Sequence, residues 1–173
     1  MIIFVRGVSN EFISQYKKAI QHLNNYNIGI NASRLEKSKI IYAVAECESG
    51  KGSSFNTKTR TITWCPKDGL LNPNTGIVIS PTTALNHELA HANNYNKAML
   101  NPIIKNKFFN ECEKDPNNPY GSKEDQIVIT GIEQITAKLL GEIKEGEYTR
   151  CNHGGILLPT ENVISNKLLK KKC

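Results

Sequence analysis

Residues 76–97 read GIVISPTTALNHELAHANNYNK, and this stretch decides how the chain is organised. A short apolar run ends at Ser80-Pro81. Serine can cap a helix, and proline suits the first helical position because its missing N–H is not needed there. The spacing predicts a helix from about residue 81 to 97, closed by Asn101-Pro102. Within it, His87 and His91 stand one turn apart, so both imidazoles share one face. Two imidazoles in that geometry can hold one zinc ion, with Glu88 beside them. Zinc lowers the pKa of a bound water, and the carboxylate can take the proton as that water attacks. The same carboxylate can then pass the proton to a leaving amine.

A catalytic zinc site needs three protein ligands and an open position. The extended motif with a third histidine fails here, because Asn94 and Lys97 occupy the positions where Gly and His are needed. The third donor must come from Glu124, Asp125, Glu133, Glu142 or His153. Periodicity favours Glu133. A second helix is predicted over about residues 124–140, stopped by Gly141. Val128, Ile132, Ile135 and Leu139 form one apolar stripe, while Ile129, Ala137 and Leu140 form a second that contains Glu133. A helix apolar on most sides is buried, and a buried carboxylate needs a metal or a cationic partner. Arg150 is the alternative partner. Glu124 lies in the first turn, where the helix dipole favours a carboxylate.

Upstream, Ser9 can cap a helix over residues 10–25, with Phe12, Ile13, Tyr16, Ala19, Ile20 and Leu23 at helical spacing. Residues 39–46, KIIYAVAE, and 59–65, TRTITWC, read as strands. The turn-rich GKGSSFNTK between them predicts a hairpin with a long loop, and residues 59–65 are expected to border the cleft as a free edge. PKDGLLNPNTG reads as a loop before a short strand at 77–79. IIKNKFF is a weaker apolar segment, and residues 141–173 read as irregular. No linker divides the chain, so the expectation is one α+β domain over residues 1–173, with its core at about 40–155.

Composition adds exclusions. The chain has 173 residues, 39% apolar and 22% charged, which suits one domain with a real core. MIIFV is too short for a signal peptide, and no apolar run approaches bilayer length. The net charge of +6 is partly a basic tail, Lys167 and Lys170 to Lys172. A charged end is usually solvated, and no nucleic-acid motif accompanies it. The expected partner is a protein or peptide substrate. The five cysteines show no C-x-x-C spacing. Cys47 and Cys65 end two predicted strands and can face each other, but the odd, scattered set predicts reduced thiols.

Three stretches carry a family resemblance: GIVISPTTALNHELAHANNY, GKGSSFNTKTRTITWCP, and ITGIEQITAKLLGE followed by Arg150 and His153. In these the chain resembles the NleD-type effector zinc metallopeptidases. The resemblance covers about residues 50–155. It implies a small zincin-like (gluzincin-like) domain, a zinc peptidase acting as a bacterial effector or toxin, His87, His91 and Glu133 on the metal, and Arg150 and His153 near the catalytic Glu88. Against this endopeptidase reading stand two others. One is a zinc hydrolase acting on cell-wall peptide links, which the basic charge would suit. The other is a non-catalytic module held together by metal, in which an intact Glu88 would have no task.

Overall fold

Two short sheets pack on one long helix in the computed structural model, which describes residues 1–48 and 50–169. The architecture is mixed α+β. Lys170 to Lys172 of the basic tail lie outside the described residues. No helix among those described is long and apolar enough to cross a membrane.

The first sheet holds β1 (Ile2–Phe4), β2 (Tyr42–Glu46), β3 (Ser54–Asn56) and β4 (Thr61–Trp64), in the order β1-β2-β4-β3. Helices α1 (Asn10–Asn25) and α2 (Ile30–Glu36) connect β1 to β2. Ser9 caps α1 as expected, its Oγ accepting from the Phe12 N–H at 3.0 Å. Phe12, Tyr16, Ala19 and Leu23 are the buried positions of α1. Three of them join Tyr42, Val44, Ile62 and Trp64 from the sheet and Leu85, Leu89 and Ala92 from the long helix in one core. Each fully buried large side chain there contributes about 1.5–3 kcal/mol.

The long helix, α3 (Pro81–Leu100), begins at the predicted cap: Ser80 Oγ accepts from the Thr83 N–H at 3.2 Å. Trp64 Nε1 donates to the Pro81 carbonyl at 2.8 Å, tying the end of β4 to the start of α3. Buried asparagines fix the helix further. Asn86 Nδ2 donates to Thr136 Oγ1 at 2.8 Å, Asn93 Nδ2 donates to Asn31 Oδ1 at 3.0 Å, and Tyr42 Oη donates to Asn96 Oδ1 at 3.1 Å. Such bonds are worth about 1 kcal/mol net each, but leaving a buried partner unmet costs more, so they hold the helix in one rotation.

Asn101 caps α4 (Pro102–Glu111), accepting from the Ile103 N–H at 3.0 Å. The second predicted helix is three pieces: α5 (Lys123–Val128), a π-helical turn (Ile129–Glu133) and α6 (Gln134–Leu139). The second sheet, with order β6-β5-β7, is antiparallel and comprises β5 (Asp68–Leu71), β6 (Val78–Ile79) and β7 (Ile156–Pro159).

Four expectations need correction. The strands at 39–46 and 59–65 are not a hairpin: β2 and β4 pair in parallel, because the intervening chain makes its own strand, β3, which folds back on β4. For the same reason β4 is interior and β3 holds the edge. The parallel register pairs Glu46 with Trp64, so the next residues, Cys47 and Cys65, meet with Cα atoms 5.0 Å apart and form a disulfide. Spacing along the chain carries no trace of that register. Finally, β5 and β7 occupy segments expected to be loop or irregular; each is short, and the pairing between them joins residues far apart in sequence.

Candidate metal centre

α3 carries His87, Glu88 and His91 to the floor of a cleft. His87 and Glu88 are buried, and His91 is nearly so. The Nε2 atoms of His87 and His91 lie 2.8 Å apart. Each Nδ1 is backed by a carboxylate. Glu133 Oε2 is 2.8 Å from Nδ1 of His87, and Glu124 Oε2 is in close contact with Nδ1 of His91. A ring that donates its Nδ1–H to a carboxylate leaves a lone pair on Nε2. Two lone pairs then face each other, a repulsion that a cation between them, or a proton on one of the rings, relieves.

The remaining donors stand around that point. Glu88 Oε1 is 3.9 Å from Nε2 of His87. Asp125 Oδ1 is 3.8 Å from Nε2 of His91 and 3.4 Å from Nε2 of His153. Zinc–donor bonds of about 2.0–2.2 Å bring donors to roughly 3–4 Å from one another; among the described residues, His87, Glu88 and His91 form one group compact enough to approach a single ion, and His91, Glu124 and Asp125 form a second that shares His91. Charge agrees. Glu88, Glu124, Asp125 and Glu133 are four carboxylates, and the cations paired to them are Arg150 on Glu133 and Lys114 on Asp125. With neutral imidazoles, two negative charges stay uncompensated, which suits a divalent ion.

Glu133 itself does not take the ligand position expected from the sequence. Its carboxylate, fully buried on the π-helical turn, accepts from Arg150 Nε at 3.0 Å and Nη2 at 2.5 Å, and from Thr149 Oγ1 at 2.7 Å. It therefore sits behind His87 rather than beside Nε2. A buried anion does need partners, and here they are Arg150 and His87. Burial opposes its charge, but the hydrogen bond from His87 and the Arg150 guanidinium outweigh this and hold it down at about 2. Burial likewise opposes charge on His91, yet Glu124, Glu88 and Asp125 raise its pKa overall. Glu124 is lowered despite burial by His91 and by Asn94, which donates to it at 3.0 Å. Asp125 is lowered despite burial by His153, Ser122 and Lys114.

The other candidates are spread out. His153 is half exposed above Asp125. Glu142 bonds Thr83 Oγ1 at 2.8 Å near the start of α3. Asp125 is among the five candidates named from the sequence, but periodicity favours Glu133 over it.

Two cavities flank the centre. The larger, about 430 Å³, includes Ser53, Phe55, Phe108, Glu124 and Asp125. The smaller, about 190 Å³, lies towards the second sheet. His87, Glu88, His153 and Ser53 border both. Comparison with protein-family models, curated proteins and solved structures found no match.

Proposed function

We propose that this chain is a zinc-dependent endopeptidase with a zincin-like active site, acting on a protein as a secreted effector or toxin. The observation that carries the reading is the convergence of His87 Nε2 and His91 Nε2, each ring held from behind by a carboxylate, with Glu88 beside them. His87 and His91 would hold the ion, with Asp125, which lies 3.8 Å from His91, as the third donor. Zinc, when bound, supplies the Lewis acidity that polarises a peptide carbonyl and activates water. Glu88 accepts the proton of the attacking water and returns it to the leaving amine. Arg150 keeps Glu133 ionised and so keeps the His87 ring in the required tautomer. His153, half exposed at the junction of the two cavities, offers a ring N–H to the substrate carbonyl.

The edge strand β3 supports a peptide substrate. It packs beside α3, and residues 54 and 55 line the larger cavity, so an extended chain can add there as one more strand. The Cys47–Cys65 disulfide supports passage through an oxidising compartment.

The test pairs metal analysis with cleavage. The purified chain is expected to bind about one zinc and to cut denatured protein. Glu88→Gln should keep the zinc and lose at least about 100-fold in rate, the low end of a general base's contribution. Near-normal turnover by Glu88→Gln would overturn the mechanism, and cleavage of purified cell wall in place of protein would overturn the substrate class.

A further inference from the structure

The smaller cavity includes four aliphatic side chains that no step of the proposed mechanism uses, Leu70, Ile79, Ala84 and Leu157. Leu70 on β5 is the register partner of Ile79 on β6 and of Leu157 on β7. The three therefore form one row across the second sheet, on one face of it, and all three line the cavity. The opposite wall is α3, where Ala84 stands one turn before Glu88 and also lines the space. A residue one turn before Glu88 is its neighbour on the helix face, so the apolar space opens beside the general base.

The charged groups of this wall are already engaged. Asp68 Oδ2 accepts from the Gly50 N–H at 2.6 Å. Glu133 and Arg150 are locked in their own pair. Apart from Glu88 and His153, which face the scissile bond in the proposed mechanism, what stays available to a guest is the aliphatic row. Two features keep the space open. Gly155 lines it without a side chain, and a Cβ there would come within 2.4 Å of Leu70 Cδ1. Gly52, at φ +81°, faces Leu157 from the other rim and holds a backbone conformation that side chains rarely adopt. The volume of about 190 Å³ is ample for one branched aliphatic side chain.

We infer that this cavity is the subsite for an aliphatic substrate residue adjoining the cleaved bond, of Leu, Ile, Val or Met type, with Leu70 and Ala84 setting its size. The inference rests on the peptidase reading and names its substrate class. A cavity that borders His87, Glu88 and His153 receives whatever side chain the scissile bond carries on that side. Burying an aliphatic group against an aliphatic row is favourable, whereas a charged group there would lose its water beside Asp68, Glu133 and Arg150, which are already bonded.

The test has two arms on the full-length, zinc-loaded chain. In the first, cleavage sites are mapped in a peptide library. Leu, Ile, Val or Met should be enriched at one position flanking the bond. Ala84→Leu, which fills the space, should lower kcat/KM for those peptides about tenfold and shift the preference to Gly or Ala. Leu70→Ala, which enlarges the space, should shift it towards Phe. In the second arm, leucine, glycine and lysine hydroxamates are titrated into Glu88→Gln by calorimetry. Leucine hydroxamate should bind about tenfold tighter than glycine hydroxamate, and Ala84→Leu should erase the difference. Equal affinities, a preference for lysine, or cleavage without aliphatic enrichment would overturn the subsite. A chain that binds leucine hydroxamate selectively yet cuts no peptide would sink the peptidase reading and leave the pocket's chemistry intact. A chain that takes up no zinc would end both.

Discussion

Glu133 Oε2 lies 2.8 Å from Nδ1 of His87, the ring nitrogen that does not face His91. A carboxylate there can orient the His87 ring without itself ligating an ion. Outer partners of this kind typically change metal affinity about 10–100-fold, whereas loss of a ligand costs more. Glu133→Gln should therefore weaken zinc binding by about 10–100-fold, and Asp125→Ala should weaken it further. Competition with a chromogenic chelator at neutral pH measures both. A larger loss in Glu133→Gln than in Asp125→Ala would make Glu133 the ligand.

Arg150 is the cation that keeps the fully buried Glu133 charged. Removing one partner of a buried pair strands the other. Arg150→Met should destabilise the metal-free chain by about 3–5 kcal/mol. The double variant with Glu133→Gln should recover part of that, since the stranded charge is gone. Urea unfolding at pH 7 reads the difference. Additive losses in the double variant would mean that the two side chains do not act as a pair.

Glu142 sets a pH dependence of opposite sign to the other carboxylates. Burial raises its pKa to about 7, against the hydrogen bonds from Ser80 and Thr83. A group whose folded pKa is raised stabilises the fold below its unfolded value, about 4.3, and loses that contribution as pH rises through the folded one. Between those limits the folded chain binds the extra proton, so stability falls with rising pH. Glu142→Gln should thus gain on the wild type between about pH 5 and pH 8, at about 1.4 kcal/mol for every tenfold difference in proton affinity between the folded and unfolded chains. Denaturant titrations of the two chains across that range check it. Parallel stability curves would place Glu142 in contact with solvent.

The Cys47–Cys65 bridge closes a sequence separation of 18. A loop of that size restrains the unfolded chain by about 3 kcal/mol. Replacing both cysteines with alanine should lower Tm by roughly 6–12 °C, at about 2–4 °C per kcal/mol for a chain of this size. Scanning calorimetry with and without reductant checks it. An unchanged Tm on reduction would mean that the bond is absent in solution.

The histidine pair and the glutamate between them were legible in the sequence because a helix sets its own periodicity. His87 and His91 share a face wherever α3 packs, and Glu88 follows them. The caps at Ser9 and Ser80 were equally local, each a side chain bonding an N–H within the same turn. The apolar surroundings of Glu133 also told truly that it is buried. What they could not tell was its partner. Whether that carboxylate meets a metal, an imidazole or Arg150 depends on how the π-helical turn rotates against α3 and where residues 149 and 150 return, and both are long-range outcomes. Strand pairing was hidden for the same reason. A strand's alternation records which face is buried, not whether its neighbour runs parallel, so the β2–β4 register, the disulfide at its end and the free edge at β3 emerged only from the assembled sheet. The second sheet is the extreme case: β6 has two residues, and β7 joins β5 from about half the chain away. Segments that short carry no period of their own, and they become strands because packing supplies partners for their backbone groups.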